Sequence, residues 1–212
     1  MKRLQQTLLL IGLTLLLAAC SQGTQNLRLA PQPADTGEVT GGGLPVSLQV
    51  VDMRSDRDLG MLENPDGSIV RLLPADDINY AIQLAAAETL RDYGFEPTLW
   101  DGRAEPRLEI RIQVLMHDVT AGVPYKLDTE IALQGVAWMN GERFTGRAQT
   151  TLTRQRALPP GAKANAEAIN TAITRALGQL LNEEMANFLA GRGRTEWHVR
   201  SARGRQARPA GP

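Results

Sequence analysis

Apolar and polar residues alternate in several stretches between residues 44 and 190, and this period of two predicts strands. The first stretch runs through Val46, Leu48 and Val50 and ends near Asp52. A second begins at Leu108. Two turn signals add hairpins. Asn64-Pro65-Asp66-Gly67 predicts a loop or hairpin within residues 59–73, and Asn140-Gly141 predicts a type I′ turn between strands of about residues 126–139 and 144–153.

Helical periodicity replaces the alternation in two places. From Asp76 the apolar residues follow one helical stripe, with Asp76 or Asp77 as the N-cap and Gly94 after the last turn. A long helix is predicted from about Lys163 to Leu189. The order strand, helix, three strands, helix predicts an α+β fold. We expect a two-layer sandwich in which a mainly antiparallel sheet of about four strands carries two helices on one face.

The strand that begins at Leu108 has two distinct faces. Its apolar face contains five alternating residues, Leu108, Ile110, Ile112, Val114 and Met116. The other face carries Glu109, Arg111, Gln113 and His117, and it is predicted to contact water or a partner. His117 could serve as the base beside a serine or threonine nucleophile, but the sequence has no Gly-x-Ser-x-Gly motif, so an exposed structural histidine is expected.

The first 19 residues have the layout of a signal peptide. Lys2 and Arg3 precede an apolar run from Leu8 to Leu17, which is shorter than the roughly 20 residues that a membrane-spanning helix needs. Leu17, Ala18 and Ala19 then lead into Cys20 and resemble a lipobox, in which small side chains admit the signal peptidase. We expect cleavage before Cys20.

Cys20 is the single cysteine of the chain, so no intramolecular disulfide can form. The lipobox implies that its thiol receives diacylglycerol and that its new amino group is acylated, for example with palmitate. Several acyl chains together make release from a membrane slow. Ser21 follows in place of the aspartate that retains such proteins in the inner membrane, which implies the periplasmic face of the outer membrane.

Composition divides the rest of the chain into three parts. Residues 20–43 are polar and rich in glycine and proline, and they are predicted to form a lipidated, flexible tether. Residues 44–190 are predicted to form one periplasmic domain. Residues 191–212 carry six arginines and the single acid Glu196, and they are predicted to be a disordered tail. Residues 21–190 are acidic, with 22 acidic and 15 basic side chains. The tail either binds the phosphates of anionic lipids or lipopolysaccharide, or serves as a solvated extension that keeps this acidic part soluble.

These features together resemble the YajG-type family of bacterial lipoproteins. The resemblance rests on the lipobox, on residues 50–56 at the end of the first strand, on residues 90–95 at the end of the first helix, on the strand from Leu108 to His117, and on Ile169-Asn170. It covers roughly residues 44–189. It implies localisation and domain layout, and it implies no activity.

Residues that could support chemistry are few. Asp52, Arg54 and Asp56 lie in the most acid-rich short segment, which lacks the glycine and the distal glutamate of a calcium loop. A salt-bridged loop is the favoured interpretation, with a ligand-contacting turn as the alternative. No metal site, no cofactor and no catalytic set are predicted.

Two functional hypotheses follow. The first is a non-enzymatic envelope component that binds an envelope protein or a cell-wall or lipid ligand through its sheet face or loops, with nucleic acid excluded by compartment. The alternative is an envelope hydrolase that acts on peptidoglycan or lipid through acids such as Glu109, Asp118 or Glu130. The alternative requires a concave site that brings two of these acids together.

Overall fold

The computed structural model describes residues 23–38 and 40–192. The predicted signal peptide, the lipobox and Cys20 lie outside the described residues, as does the arginine-rich segment after Arg192. Among the described helices, none is long and apolar enough to cross a membrane.

Eight strands and three helices make up the described chain. The strands are β1 (Thr24–Leu27), β2 (Pro45–Asp52), β3 (Gly60–Glu63), β4 (Ile69–Pro74), β5 (Glu96–Thr98), β6 (Arg107–Thr120), β7 (Tyr125–Met139) and β8 (Glu142–Arg156). The helices are α1 (Ile78–Asp92), α2 (Ala162–Leu180) and α3 (Glu183–Leu189).

The strands form one mixed, strongly curled sheet that has the shape of a half-barrel. On one edge of the long strand β6, β7 pairs antiparallel along its whole length, and β8 continues the sheet beyond β7. The other edge of β6 has two partners in succession. Its first half pairs in parallel with β2 and its second half meets β3, so the sheet forks into a β2–β5 branch and a β3–β4–β1 branch.

The prediction of a mainly antiparallel sheet of about four strands with two helices is therefore wrong. The chain leaves β2, crosses through α1 and returns parallel to β2 in β5 and again in β6. A helix between two strands of one sheet permits this parallel return. Apolar alternation reports which side chains are buried, but it does not report the direction of the neighbouring strand.

The prediction of a flexible tether also fails for the residues after Gly23. β1 lies inside that segment and pairs with β4, and its Leu27 is fully buried. The stretch after β1 is bound to both long helices. The amide of Ala30 donates to Asn170 of α2, and the amide of Ala34 donates to Thr89 of α1.

Both ends of α1 follow the sequence prediction. The side chain of Asp77 accepts a hydrogen bond from the amide of Asn79, and Gly94 has a left-handed φ of 82°. The long terminal helix, in contrast, is interrupted. α2 ends at Leu180, and Asn182 caps the new helix α3 by accepting from the amide of Met185.

A β-bulge at Gln113 reverses the two faces of β6 halfway along the strand. The register against β7 shifts between Ile112 and Val114. Leu108, Ile110 and Ile112 are buried as predicted, but beyond the bulge the core side chains are Leu115, His117 and Val119. His117 is completely buried, so the prediction of an exposed histidine is wrong, and Met116 is exposed instead.

Candidate functional site

The fork leaves a short stretch of β6 without a neighbouring strand on one edge. On one side of the gap the amide of Met53 donates to the carbonyl of Ile112, and on the other the amide of His117 donates to the carbonyl of Leu59. Between these two bonds lies the carbonyl of Leu115. A buried carbonyl requires a partner, because losing its hydrogen bond to water is costly.

Arg54 supplies that partner. Its Nη1 donates to the carbonyl of Leu115 at 2.9 Å and to the carbonyl of Asp58 at 3.0 Å. Its Nε and Nη2 donate to the two carboxylate oxygens of Asp52 at 3.0 and 2.9 Å, which is a bidentate pair. Both side chains are almost completely buried, at 6% exposure for Arg54 and 2% for Asp52. We call this group the fork clamp.

Charge holds Asp52 ionised inside the fork clamp. Burial alone would raise the pKa of Asp52, but the hydrogen bonds and the charge of Arg54, together with the charge of Arg57, outweigh burial and lower the pKa. Arg57 approaches the same carboxylate at 3.1 Å from a mostly exposed position. The clamp is therefore a structural ion pair, in which the guanidinium of Arg54 is directed at groups of the protein itself.

Beside the fork clamp lies an open cleft of about 580 Å³ on the sheet face opposite α2. Met61, Ile69 and Met116 present exposed apolar side chains there. Asp56, Asp58, Arg71 and Asp118 contribute the polar rim. The cleft thus combines an adaptable apolar surface with fixed charged groups.

Most of the rim groups already have partners. Arg71 donates through both Nε and Nη2 to the carboxylate of Asp58, at 2.8 and 2.6 Å. Asp56 accepts from the amide of Asp58, and Asp118 accepts from the amide of Met61. The rim is therefore preorganised by its own hydrogen bonds.

Gly60 is required where β3 begins at the fork. Its φ is 134°, which L side chains rarely adopt. A Cβ at this position would collide with the carbonyl oxygen of His117. The close approach of these two backbones joins the β3 branch to β6 and shapes the end of the cleft.

On the other face of β6, His117 is the centre of a second polar group. Its Nε2 lies 3.2 Å from Asn165 Oδ1, which can only accept, so Nε2 carries the proton. Its Nδ1 then accepts from the hydroxyl of Thr129 at 2.7 Å. Asn165 in turn donates to Gln25 at 2.6 Å. We call these four residues the histidine network.

The pKa of His117 is lowered, and burial is the main cause. The hydrogen bond to Asn165 and the charges of Asp118 and Asp128 raise the pKa, but they do not outweigh burial. The charge of Arg154 lowers it further. His117 is consequently a neutral core side chain. It is not placed to act as a base toward a ligand in the cleft, because it faces the opposite side of the sheet.

The residues singled out in the sequence are thus distributed as follows. Asp52 and Arg54 form the fork clamp, and Asp56 lies on the rim of the cleft. Among the acids of the hydrolase hypothesis, Asp118 lines the cleft, whereas Glu109 pairs with Gln49 and Arg111, and Glu130 accepts from Gln149. The cleft does not bring two of these three acids together. Within residues 23–38 and 40–192, no three His, Cys, Asp or Glu side chains are grouped to hold a metal ion.

Sequence reasoning missed the apolar side chains of the cleft. Met61 and Ile69 lie in the β3–β4 hairpin, and the alternation along β6 had placed Met116 in the core. Met61 and Ile69 are distant from Met116 in sequence. The three side chains come together only because the bulge turns Met116 outward and the fork places β3 beside β6. No local pattern could have shown this.

Comparison with known proteins identifies a family. The family model described as "Uncharacterized lipoprotein" matches residues 31–190. No curated protein matches the chain significantly. Among solved structures, the chain is similar to a protein from Xanthomonas campestris, with 13% identity, a TM-score of 0.48 and coverage of 84% of this chain and 99% of that one. It is also similar to PelC from Paraburkholderia phytofirmans, solved as a dodecamer, with 14% identity, a TM-score of 0.34 and coverage of 70% and 95%.

The family match spans most of the chain and agrees with the YajG-type resemblance seen in the sequence. The chain therefore belongs to this family of lipoproteins.

Proposed function

We propose that this protein is a lipoprotein acylated on Cys20, held at the periplasmic face of the outer membrane, and that it binds another envelope protein without acting as an enzyme. The family supports the lipoprotein class. Leu17, Ala18 and Ala19 before Cys20 support the site of acylation, and Ser21 supports the outer membrane.

The cleft beside the fork carries the proposal of a binding role. Met61 is 53% exposed and Met116 is 46% exposed, so two large flexible apolar side chains face water within one concave surface. Methionine side chains adapt to differently shaped partners, and an apolar surface with a polar rim is typical of a protein contact. We infer that the partner inserts apolar side chains between Met61, Ile69 and Met116.

The rim supports recognition more than chemistry. The carboxylate of Asp58 is neutralised by Arg71, and the carboxylate of Asp118 accepts from the backbone. Hydrolysis of a glycoside requires two carboxyl groups that flank the scissile bond, one of which is a proton donor. Of the acids named for that role only Asp118 lies in the cleft, and the other two carboxylates there, Asp56 and Asp58, already accept from an amide and from Arg71.

Site-specific crosslinking in cells tests the binding role. A photoreactive amino acid at Met61 or Met116 should give one discrete crosslinked product. The same amino acid at Leu84, which is similarly exposed at 48% but lies on α1, is the control. Equal yields at Met61, Met116 and Leu84 would contradict a partner in the cleft.

Membrane fractionation tests the anchor separately. The native protein should sediment with outer membranes, and the Cys20→Ala variant should lose both its acyl chains and its outer-membrane location. Mass analysis should find acyl chains on the N-terminal cysteine of the native protein. An unmodified N-terminus would refute the proposed anchor and would leave the cleft proposal untouched.

A further inference from the structure

The path of β1 places the attachment point of the anchor close to the folded domain. β1 runs parallel to β4, and β4 runs antiparallel to β3. Because β3 is parallel to β6, β1 is antiparallel to β6. The chain before Thr24 therefore leaves from the end of the sheet where β6 ends and β7 begins. Cys20 is three residues before Gly23, and even a fully extended chain spans only about 11 Å over that distance.

We call this end of the domain the anchor end. It contains the turn of residues 64–68, the loop of residues 121–124 and the segment of residues 157–161, which leads into α2. The cross-strand pair Tyr125 and Arg156 closes the β7–β8 ladder here. An acylated Cys20 within about 11 Å of Gly23 would bring these segments close to the lipid surface.

Two apolar side chains project from the anchor end. Val123 is 100% exposed and Leu158 is 76% exposed. Each lies two residues from the closing pair of the β7–β8 ladder, so the two project at the same end. Exposed apolar side chains on adjacent loops gain free energy when they enter a lipid interface.

Cations accompany these apolar side chains. Lys126, Arg154, Arg156 and Lys163 are exposed on the β7, β8 and α2 side of the anchor end. Asp128 pairs with Lys126 at 2.8 Å, and Glu167 approaches Lys163 at 4.0 Å. Glu63 and Asp66 lie on the opposite side, near the β3–β4 turn. Positive charge is therefore concentrated beside Val123 and Leu158, where it would attract anionic lipid headgroups.

We propose that the anchor end is a second membrane contact, at which Val123 and Leu158 enter the headgroup region of an anionic phospholipid bilayer while Arg154 and Arg156 bind lipid phosphates. This rests on the proposed acylation of Cys20, which confines the anchor end to the surface. The domain then has a fixed orientation on the membrane. Its other end, which carries Leu99 and the β7–β8 turn, points away.

Fluorescent labelling of the full acylated protein tests the contact. Acylation blocks the thiol of Cys20, so a new cysteine can be labelled selectively. Val123→Cys and Leu158→Cys report on the anchor end, and Leu99→Cys is the matched control, since Leu99 is 88% exposed at the opposite end. In vesicles of phosphatidylethanolamine and phosphatidylglycerol with a lipid-borne quencher, labels at residues 123 and 158 should be quenched several-fold more than the label at residue 99. Equal quenching at the three positions would overturn the proposal.

Charge reversal tests the lipid chemistry. Arg154→Glu with Arg156→Glu should reduce the quenching at residue 123 toward that at residue 99, and omission of phosphatidylglycerol should do the same. Arg143→Glu with Arg147→Glu makes the same charge change on the far half of β8 and should have no effect. Quenching that is insensitive to both changes would overturn the role of anionic lipid.

The same vesicles separate this proposal from the anchor. If labels at residues 123 and 158 resemble the control while the protein still floats with the vesicles, the docking proposal fails and the anchor stands. If mass analysis of the native protein finds no acyl chains on Cys20, the anchor proposal fails.

Discussion

The fork clamp and the histidine network lie on opposite sides of the same strand, and they solve the same problem in different ways. Each satisfies buried polar groups around the bulge of β6. The fork clamp uses a fully ionised pair, Asp52 and Arg54, which also fills a gap in the backbone hydrogen bonds. The histidine network uses neutral groups, and it ties β1 and α2 to the sheet through His117 and Asn165.

This contrast indicates where a substitution should be most damaging. An ion pair in the interior is costly to break on one side only, because the remaining charge stays buried without its partner. A neutral hydrogen bond leaves a smaller penalty when one partner is removed. We therefore expect the fork clamp to be more sensitive than the histidine network, although the latter is more deeply buried.

Removal of Arg54 should have the largest effect. Arg54→Met keeps much of the side-chain volume but leaves the carboxylate of Asp52 and the carbonyl of Leu115 without their main donor. We expect a loss of about 3 to 5 kcal/mol in the free energy of unfolding, measured with urea. Adding Asp52→Asn should recover part of the loss, because it removes the buried charge.

Arg57→Met is the matched control for this prediction. Arg57 approaches the same carboxylate, but its side chain is 66% exposed. Its loss should therefore cost about 0 to 1 kcal/mol. If the two methionine variants were equally stable, the buried pair of Asp52 and Arg54 would not be what stabilises the fork.

Removal of Asn165 should have a smaller effect. Asn165→Ala removes the acceptor of His117 Nε2 and the amide donor to Gln25, while the bond of His117 Nδ1 to Thr129 remains, and we expect a loss of about 1 to 3 kcal/mol. Hydrogen exchange in β1 should become faster, since Gln25 links that strand to α2. Asn170→Ala, which removes a more exposed bond to the amide of Ala30, is the control and should leave β1 exchange close to that of the native protein. Unchanged exchange in the Asn165 variant would count against the network.

The sequence predicted those features that depend on local interactions. Asn140-Gly141 determines the β7–β8 hairpin, since both residues adopt the positive φ that the turn requires. Asp77 and Gly94 mark the ends of α1 because capping is a contact between near neighbours. The lipoprotein family, too, agrees with short motifs that the chain carries.

Features that depend on the tertiary structure were missed. One inserted residue at Gln113 exchanges the faces of β6, yet the apolar residues before and after it alternate without a break in the sequence. β1 is a polar strand with a single buried leucine, so composition suggested a tether. The bonds from Arg54 to Leu115 depend on a gap between strands that no local pattern reports. The candidate cleft therefore could not be predicted, although the salt bridge at its edge could.

The smallest expected effect is the pH dependence of the histidine network. Burial keeps the pKa of His117 below its ordinary value of 6.5 in the folded protein, whereas the unfolded chain binds a proton near that value. Between the two pKa values the unfolded state holds more protons, so the free energy of unfolding should fall as the pH drops below about 6.5, by at most about 1.4 kcal/mol per pH unit.

His117→Gln should be less stable at pH 7.5 but should lose less stability on acidification to pH 5. His198 is present in both proteins, so the difference between their urea unfolding curves reports on His117. Parallel pH profiles would show that His117 is not held neutral by the core, and the contrast with the ionised fork clamp would then be lost.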